Sequence, residues 1–218
     1  MSIRTGVFAV VAVLFRFMIV SATAHGYDEV QLEQLRTTHP HQCTKCDLSG
    51  AQLGGWELDD SLLSGSNLKG ANLDNTELGS AELSGTNFSE AKLRNAVLTR
   101  ANLQGADMRS AQLGNATIDR ANLSGADLSG ADLWDSTLRD TDLHGARFYM
   151  ARLSRANLMY VNFQGADLRK AALVEADLRG ADLKNANLEG ADLSGAKLSG
   201  ATWVDGRECK SESVGICK

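Results

Sequence analysis

From residue 48 to residue 203 every fifth residue is large and apolar, without interruption, through 32 units. The series begins Leu48, Leu53, Leu58, Leu63 and ends Leu198, Trp203. It is Leu throughout except at Phe88, Met108, Ile118, Phe148, Phe163 and the terminal Trp203. Two residues before each stands a small side chain, usually Ala, as at Ala51, Ala71, Ala126 and Ala201. A period of five fits neither an amphipathic helix nor a strand. Sustained this long, it implies a solenoid whose units bury a core only by stacking on one another. The single proline, Pro40, lies outside the repeats, as expected where most N–H groups join ladders between coils.

The unit reads A-(D/N)-L-x-G, as in Ala126-Asp127-Leu128-Ser129-Gly130. It resembles the pentapeptide-repeat family, and the resemblance covers residues 46 to 205 without an insertion. The resemblance implies an all-β solenoid, a right-handed quadrilateral parallel β-helix with four units per coil. The central Leu or Phe and the preceding small residue then face inward, and the other three face out. A column of glycines spaced by 20 (Gly65, Gly85, Gly105, Gly125, Gly145 and Gly165) supports the four-unit coil independently. The three other columns at that position are broken by larger residues. Glycine there permits positive φ or leaves a smooth corner, so one side is expected to keep its own identity. Eight coils spaced by about 4.8 Å predict a rod roughly 40 Å long.

The ends read differently. Residues 1–24 have the features of a secretory signal peptide. Arg4 is the basic start, Val7 to Phe15 and Phe17 to Val20 are apolar, and Ala22-Thr23-Ala24 is an A-x-A cleavage site. Arg16 interrupts the apolar stretch, so the alternative is a short uncleaved membrane-associated segment. No run reaches the roughly 18 apolar residues of a spanning helix. The expected organisation is a signal peptide (1–24), an N-terminal cap segment (25–45), the β-helix (46–205) and a C-terminal cap (206–218). Asp28 to Arg36 reads as a short cap helix. Asp28 is its N-cap and Gln31 closes a capping box, while Val30, Leu32 and Leu35 form an apolar edge over the first coil. Trp56 and Trp203 are expected to fill space at the two ends.

The four cysteines sit at opposite ends: Cys43 and Cys46, then Cys209 and Cys217. Two end-local disulfides fit an exported protein. The tight Cys43–Cys46 pair reads as structural, or alternatively as redox-active. His39, His41, Cys43 and Cys46 together have zinc or copper ligand chemistry, set against two solvated histidines beside a disulfide. Cleavage after Ala24 also places His25 at the amino terminus. The chain carries a formal charge of −5, or −7 once Arg4 and Arg16 are removed. That balance disfavours nonspecific nucleic-acid binding.

The outward residues are mostly small and polar, with one departure at mid-rod: Trp134, Tyr149, Met150, Met159 and Tyr160, with Val174 nearby. Aromatic and Met side chains on an otherwise polar solenoid mark a candidate interface for a partner or a second copy; the alternative is tolerated surface variation. Stacking by 20 places Asp135, Arg155 and Glu175 in an alternating charge ladder beside Trp134. No catalytic constellation or cofactor motif is legible, since a packed square rod offers no concave desolvated pocket. The expected function is therefore a non-catalytic exported scaffold that binds a protein or cell-envelope component, with room for a homodimer. One alternative is a DNA-mimicking, gyrase-interacting protein of the quinolone-resistance type, which requires retention in the cytosol. The other is a metal-handling or redox role at His39 to Cys46.

Overall fold

The structure, a computed structural model, describes residues 26–218; the expected signal peptide and His25 lie outside the described residues. Every unit from residue 46 onward adopts one local conformation. The residue before each inward Leu pairs in parallel with the residue 20 positions on, from Gln42 with Leu62 through Asp182 with Thr202. That register is four pentapeptides per coil. The contacts are isolated bridges, one per side, and among the described residues no extended strand is long enough to stand as an element of its own. The reason is geometric: only about three residues of each five are extended before the chain must turn a corner.

The corner follows from the same hydrogen-bond pattern. The small residue donates back to the carbonyl of the preceding inward residue, as Ala126 does to Leu123 at 3.0 Å. This closes a four-residue turn whose third residue has positive φ, between 53° and 72° in every unit from residue 45 to residue 200, as a type II turn requires. The glycine column is therefore not conformationally distinct. Arg100, Met150 and Tyr160 adopt the same left-handed conformation on other corners. A Cβ at Gly85, Gly105, Gly125, Gly145 or Gly165 would meet nothing within 4 Å, so that column differs only in presenting a bare corner.

Sides are numbered here from Leu48, Leu53, Leu58 and Leu63, which begin sides 1 to 4 of coil 1; coil 8 carries Leu188, Leu193, Leu198 and Trp203. The inward residues of coils 1 to 7 are fully buried, each burial contributing about 1.5–3 kcal/mol. Phe148 and Phe163 meet edge to face, 5.5 Å between centroids. The small position leaves room for only a few atoms beside them, except in coil 1, where Trp56 is accommodated partly buried against the core. Where it is polar, the hydroxyl can reach a carbonyl of the preceding coil, as Thr76 does with Leu53 and Thr141 with Ile118, both at 2.9 Å, whereas Ser136 bonds Leu133 of its own coil.

At the N-terminal end α1 (Glu29–Thr37) lies over the core. Asp28 is its N-cap, accepting from the N–H groups of Val30 and Gln31. Gln31 does not complete a capping box. Its side-chain oxygen accepts instead from the N–H of Asp47, at 2.6 Å, where the backbone of coil 1 has no earlier coil to pair with. Leu35 is fully buried and Leu32 partly so, whereas Val30 is 78% exposed and takes no part in the cap. The cap pairs sides 4 and 1, through Gln42 and Asp47, and covers the core so completely that Leu48, Leu53 and Leu58 are inaccessible.

The C-terminal tail returns antiparallel over coil 8, bridging Val214 to Lys197 on side 3 and Glu208 to Thr202 on side 4. A disulfide from Cys209 to Cys217 closes it. Sides 1 and 2 of coil 8 receive no such cover. Leu188, Leu193 and Trp203 are only partly buried, so Trp203 packs against the core without sealing it.

Candidate functional site

The position before each inward residue, usually Asp or Asn, has a structural task. Its side-chain oxygen accepts from the backbone N–H two residues on, as Asn122 does for Ser124 at 3.0 Å and Asp182 for Lys184 at 3.0 Å. That N–H is the one amide of the turn that the ladders leave free, and a short side-chain acceptor satisfies it locally. The many carboxylates on the sides are thus first of all turn caps. Three of them do more, because an Arg follows two residues later. Asp107, Asp167 and Asp177 are gripped by both ends of Arg109, Arg169 and Arg179, with contacts of 2.6–2.8 Å. The side-chain hydrogen bonds from these guanidiniums hold the three carboxyls below the usual carboxylate range. Hydrogen bonding from Ser194 does the same for Asp192.

The mid-rod side chains fall on three successive corners. Tyr149 and Met150 stand between sides 1 and 2, Trp134 between sides 2 and 3, and Met159 and Tyr160 between sides 3 and 4. Trp134 is 38% exposed, Met150 56% and Tyr160 57%, while Tyr149 and Met159 are half-buried. Sides 2 and 3 are each flanked by two of these corners, sides 1 and 4 by one, and no side by all three. Each corner also carries a cation from the next coil. Arg155 lies 5.3 Å from the Trp134 ring centroid and ion-pairs with Asp135 at 2.9 Å. Arg169 and Lys170 flank the Tyr149 ring at 5.8 and 5.5 Å. Arg179 reaches the Met159 sulfur at 3.6 Å, and the Tyr160 ring lies against Gly180, where a Cβ would come within 2.5 Å of it.

The charge ladder beside Trp134 lines a groove of about 440 Å³ on side 3, built from Asp135, Arg155, Glu175, Asp177 and Lys197. Acid and base alternate along it. The sequence located the aromatic side chains and this ladder but not the part played by Arg169 and Lys170. The D-x-R spacing at Asp167 and Arg169 was the available signal.

The His/Cys cluster does not assemble as a ligand set. Cys43 and Cys46 are joined in a disulfide and both are buried, and His41 bonds the carbonyl of Leu35 through Nδ1 at 2.7 Å. The His39 and His41 rings lie 4.6 Å apart, tilted. Among the described residues no group of three or more His, Cys, Asp and Glu side chains gathers where a metal ion would bind. The thiolates that metal binding requires are consumed by the disulfide. No helix among the described residues is long and apolar enough to cross a membrane.

A family model described as Pentapeptide repeats matches in eight copies over residues 42–80, 81–120, 121–159 and 162–200. Among solved structures, HetL, a pentapeptide repeat protein involved in heterocyst differentiation regulation from the cyanobacterium Nostoc sp. strain PCC 7120, is 31% identical. It matches over 78% of this chain and 90% of its own, with a TM-score of 0.41. A trypsin-treated form of QnrB1, a plasmid-mediated fluoroquinolone resistance protein, is 23% identical over 73% of this chain and 88% of its own, with a TM-score of 0.62. No curated protein matches.

Proposed function

Because the chain belongs to the pentapeptide-repeat family, we propose that it acts as a non-catalytic exported scaffold that binds a protein or cell-envelope partner along the sides of its rod. The observation that carries this reading is the mid-rod band. There Trp134, Tyr149, Met150 and Tyr160 stand partly exposed on an otherwise polar surface, each corner braced by a cation or a glycine from the next coil. Preorganised aromatics with adjacent fixed charges are what a protein interface uses as anchors. The chemistry of the sides supports a binding role over a catalytic one, because the carboxylates are committed to turn caps and to Arg. The two disulfides support export, since such pairs persist in oxidising compartments.

Two experiments test the reading. Intact mass from fractionated cells should give a soluble species that begins at His25 and has no free thiol. A full-length cytosolic species with four free thiols would overturn export. Photo-crosslinking from position 150 in the envelope fraction should trap a discrete adduct that the Trp134→Ser/Tyr160→Ser double variant loses; an unchanged adduct would remove the mid-rod surface from the proposal. The alternative, protection of a topoisomerase as a DNA mimic, rests on the acidic balance and on a fold shared with QnrB1. A supercoiling assay with ciprofloxacin decides it: no protection at micromolar protein rules it out.

A further inference from the structure

We propose that the open edge of coil 1 on side 3, at the N-terminal end of the rod, is a docking site for an extended basic segment of a partner protein, which adds there as one further strand. The cap pairs only half of that end. On side 4 Leu62 donates to the His41 carbonyl, and Cys43 and Lys45 donate to Leu62 and Ser64. On side 1 the N–H of Asp47 donates to Gln31 and its carbonyl accepts from Asp28. On sides 2 and 3 the N–H groups of Gln52 and Glu57 and the carbonyls of Gln52, Gly54, Glu57 and Asp59 make no hydrogen bond among the described residues. The same positions of coil 2 are all engaged: Glu77 donates to Trp56, and the carbonyls of Glu77 and Gly79 accept from Leu58 and Asp60. Side 3 carries a cavity as well. Trp56 stands where the following coils hold Thr76, Ala96 and Ala116. With Arg36, His41 and Glu57 it lines a space of about 340 Å³ between the end of α1 and the open edge, within the size range of ligand pockets.

Backbone and side chains together define the occupant. A strand in the register of the rod runs parallel to side 3, accepts from the Glu57 N–H and donates to the carbonyls of Glu57 and Asp59. In strand addition the main-chain bonds give affinity and alternate side chains give specificity. Alternation places the residue opposite Glu57 outward and the residue before it inward, over Trp56. The outward position meets carboxylates. Glu57 bridges directly to Glu77 of the next coil, and both are exposed. Among the described residues neither makes an ion pair, nor do Asp59 and Asp60 at the corner that follows. Further along the rod stacked face charges are compensated, as Asp132 by Arg152 and Asp177 by Lys197. Like charges opposed across a ladder are destabilising, so a Lys or Arg laid over Glu57 relieves a repulsion that the chain leaves standing. The recognised segment is therefore an apolar residue followed by Lys or Arg, in extended conformation. A second copy approaching with the same end would bring the same carboxylates, which disfavours it as the occupant. The surface lies apart from the mid-rod band and adds to the proposed scaffold without resting on it.

The test titrates the disulfide-bonded chain with a short blocked peptide of alternating Val and Lys and follows the backbone amides by NMR. Two control peptides carry Glu in place of Lys, or N-methyl groups on the backbone. The Val/Lys peptide should bind in the micromolar range, shift the Glu57 amide and slow its exchange with solvent. Both controls should bind more weakly by about tenfold or more. Glu57→Lys alters an exposed side chain. It should weaken the Val/Lys peptide by a similar factor and turn the preference toward the Glu peptide, with circular dichroism unchanged. Trp56→Ala installs the residue that Ala96 and Ala116 supply in the same column, and should weaken binding while the Glu57 amide still shifts at saturation. Trp134→Ser should have no effect. Equal binding of basic and acidic peptides, binding that leaves the Glu57 amide exchanging freely, or no binding at millimolar peptide would each overturn the proposal. So would binding lost with Trp134→Ser but kept with Glu57→Lys, or self-association of the chain through this end in place of the peptide.

Discussion

Ser61 occupies a small inward position in coil 1, fully buried, and its hydroxyl is the one buried side-chain polar atom among the described residues without a hydrogen-bond partner. Its neighbours in the same column, Ala81, Ala101 and Ala121, are what the site otherwise holds. Ser61→Ala should therefore raise stability by about 1 kcal/mol, since an unsatisfied buried polar group costs on the order of 1–3 kcal/mol. Urea unfolding measures this, and a loss of stability would contradict it. Gly125 poses the opposite case. Open space surrounds it, but its φ is +67°, so Gly125→Ala is disfavoured by backbone conformation alone, by about 1–2 kcal/mol. Gly125→Asn should cost less, because Asn tolerates the left-handed region and already occupies that conformation at Asn75, Asn95 and Asn115.

A single pentapeptide unit is held by the ladders above and below and by its Asx-type cap, and in three units by an Asp–Arg clasp. The clasp makes stability depend on pH. The carboxyl of Asp177 titrates below its unfolded value because Arg179 bonds its ionised form. Its contribution is thus fully present above the unfolded pKa and is lost as pH falls through the folded one. Arg179→Ala should lower the melting temperature modestly at pH 7, and the two proteins should converge as pH falls through the lowered folded pKa of Asp177. A difference that persists undiminished in acid would mean that Arg179 acts by packing rather than by charge. Nearly half of the Arg179 side chain is exposed, so the effect should also shrink in high salt.

Across the whole rod the repeating register makes length adjustable only in whole coils. Deleting residues 106–125 joins Gly105 to Ala126, keeps every column on its side and should leave a folded protein about 5 Å shorter. Deleting the five residues 106–110 instead turns the C-terminal half by one side relative to the rest. That variant changes the stacking only across the junction, where Phe88 meets Leu113, Leu93 meets Ile118 and Leu103 meets Leu128, carries Phe148, Phe163 and the tail round with their own neighbours, and should melt earlier than the 20-residue deletion. Circular dichroism and scattering compare the two. Equal stability would show that the four columns are interchangeable.

The solenoid, its coil size and the inward and outward identity of each residue were legible in the sequence. The five-residue apolar period implied a solenoid, the resemblance to the pentapeptide-repeat family implied which positions face inward, and a glycine column spaced by 20 supported four units per turn. The end cysteines and the cap helix were legible too, because local spacing and N-cap chemistry act within a few residues. The tertiary structure decided what depends on groups distant in sequence. Gln31 turned from its own helix to the unpaired N–H of Asp47, which costs more left bare than a helix end in water. Val30 stayed exposed because α1 lays Leu32 and Leu35 on the core instead. All four corners took positive φ, since a chain that must turn every fifth residue has one economical turn whatever the side chain. Above all, only stacking shows which backbone groups a coil leaves without a neighbour, and these lie at Gln52 and Glu57 beside the cap and at Leu188 to Gly195, where the tail covers two sides of the square and leaves two open.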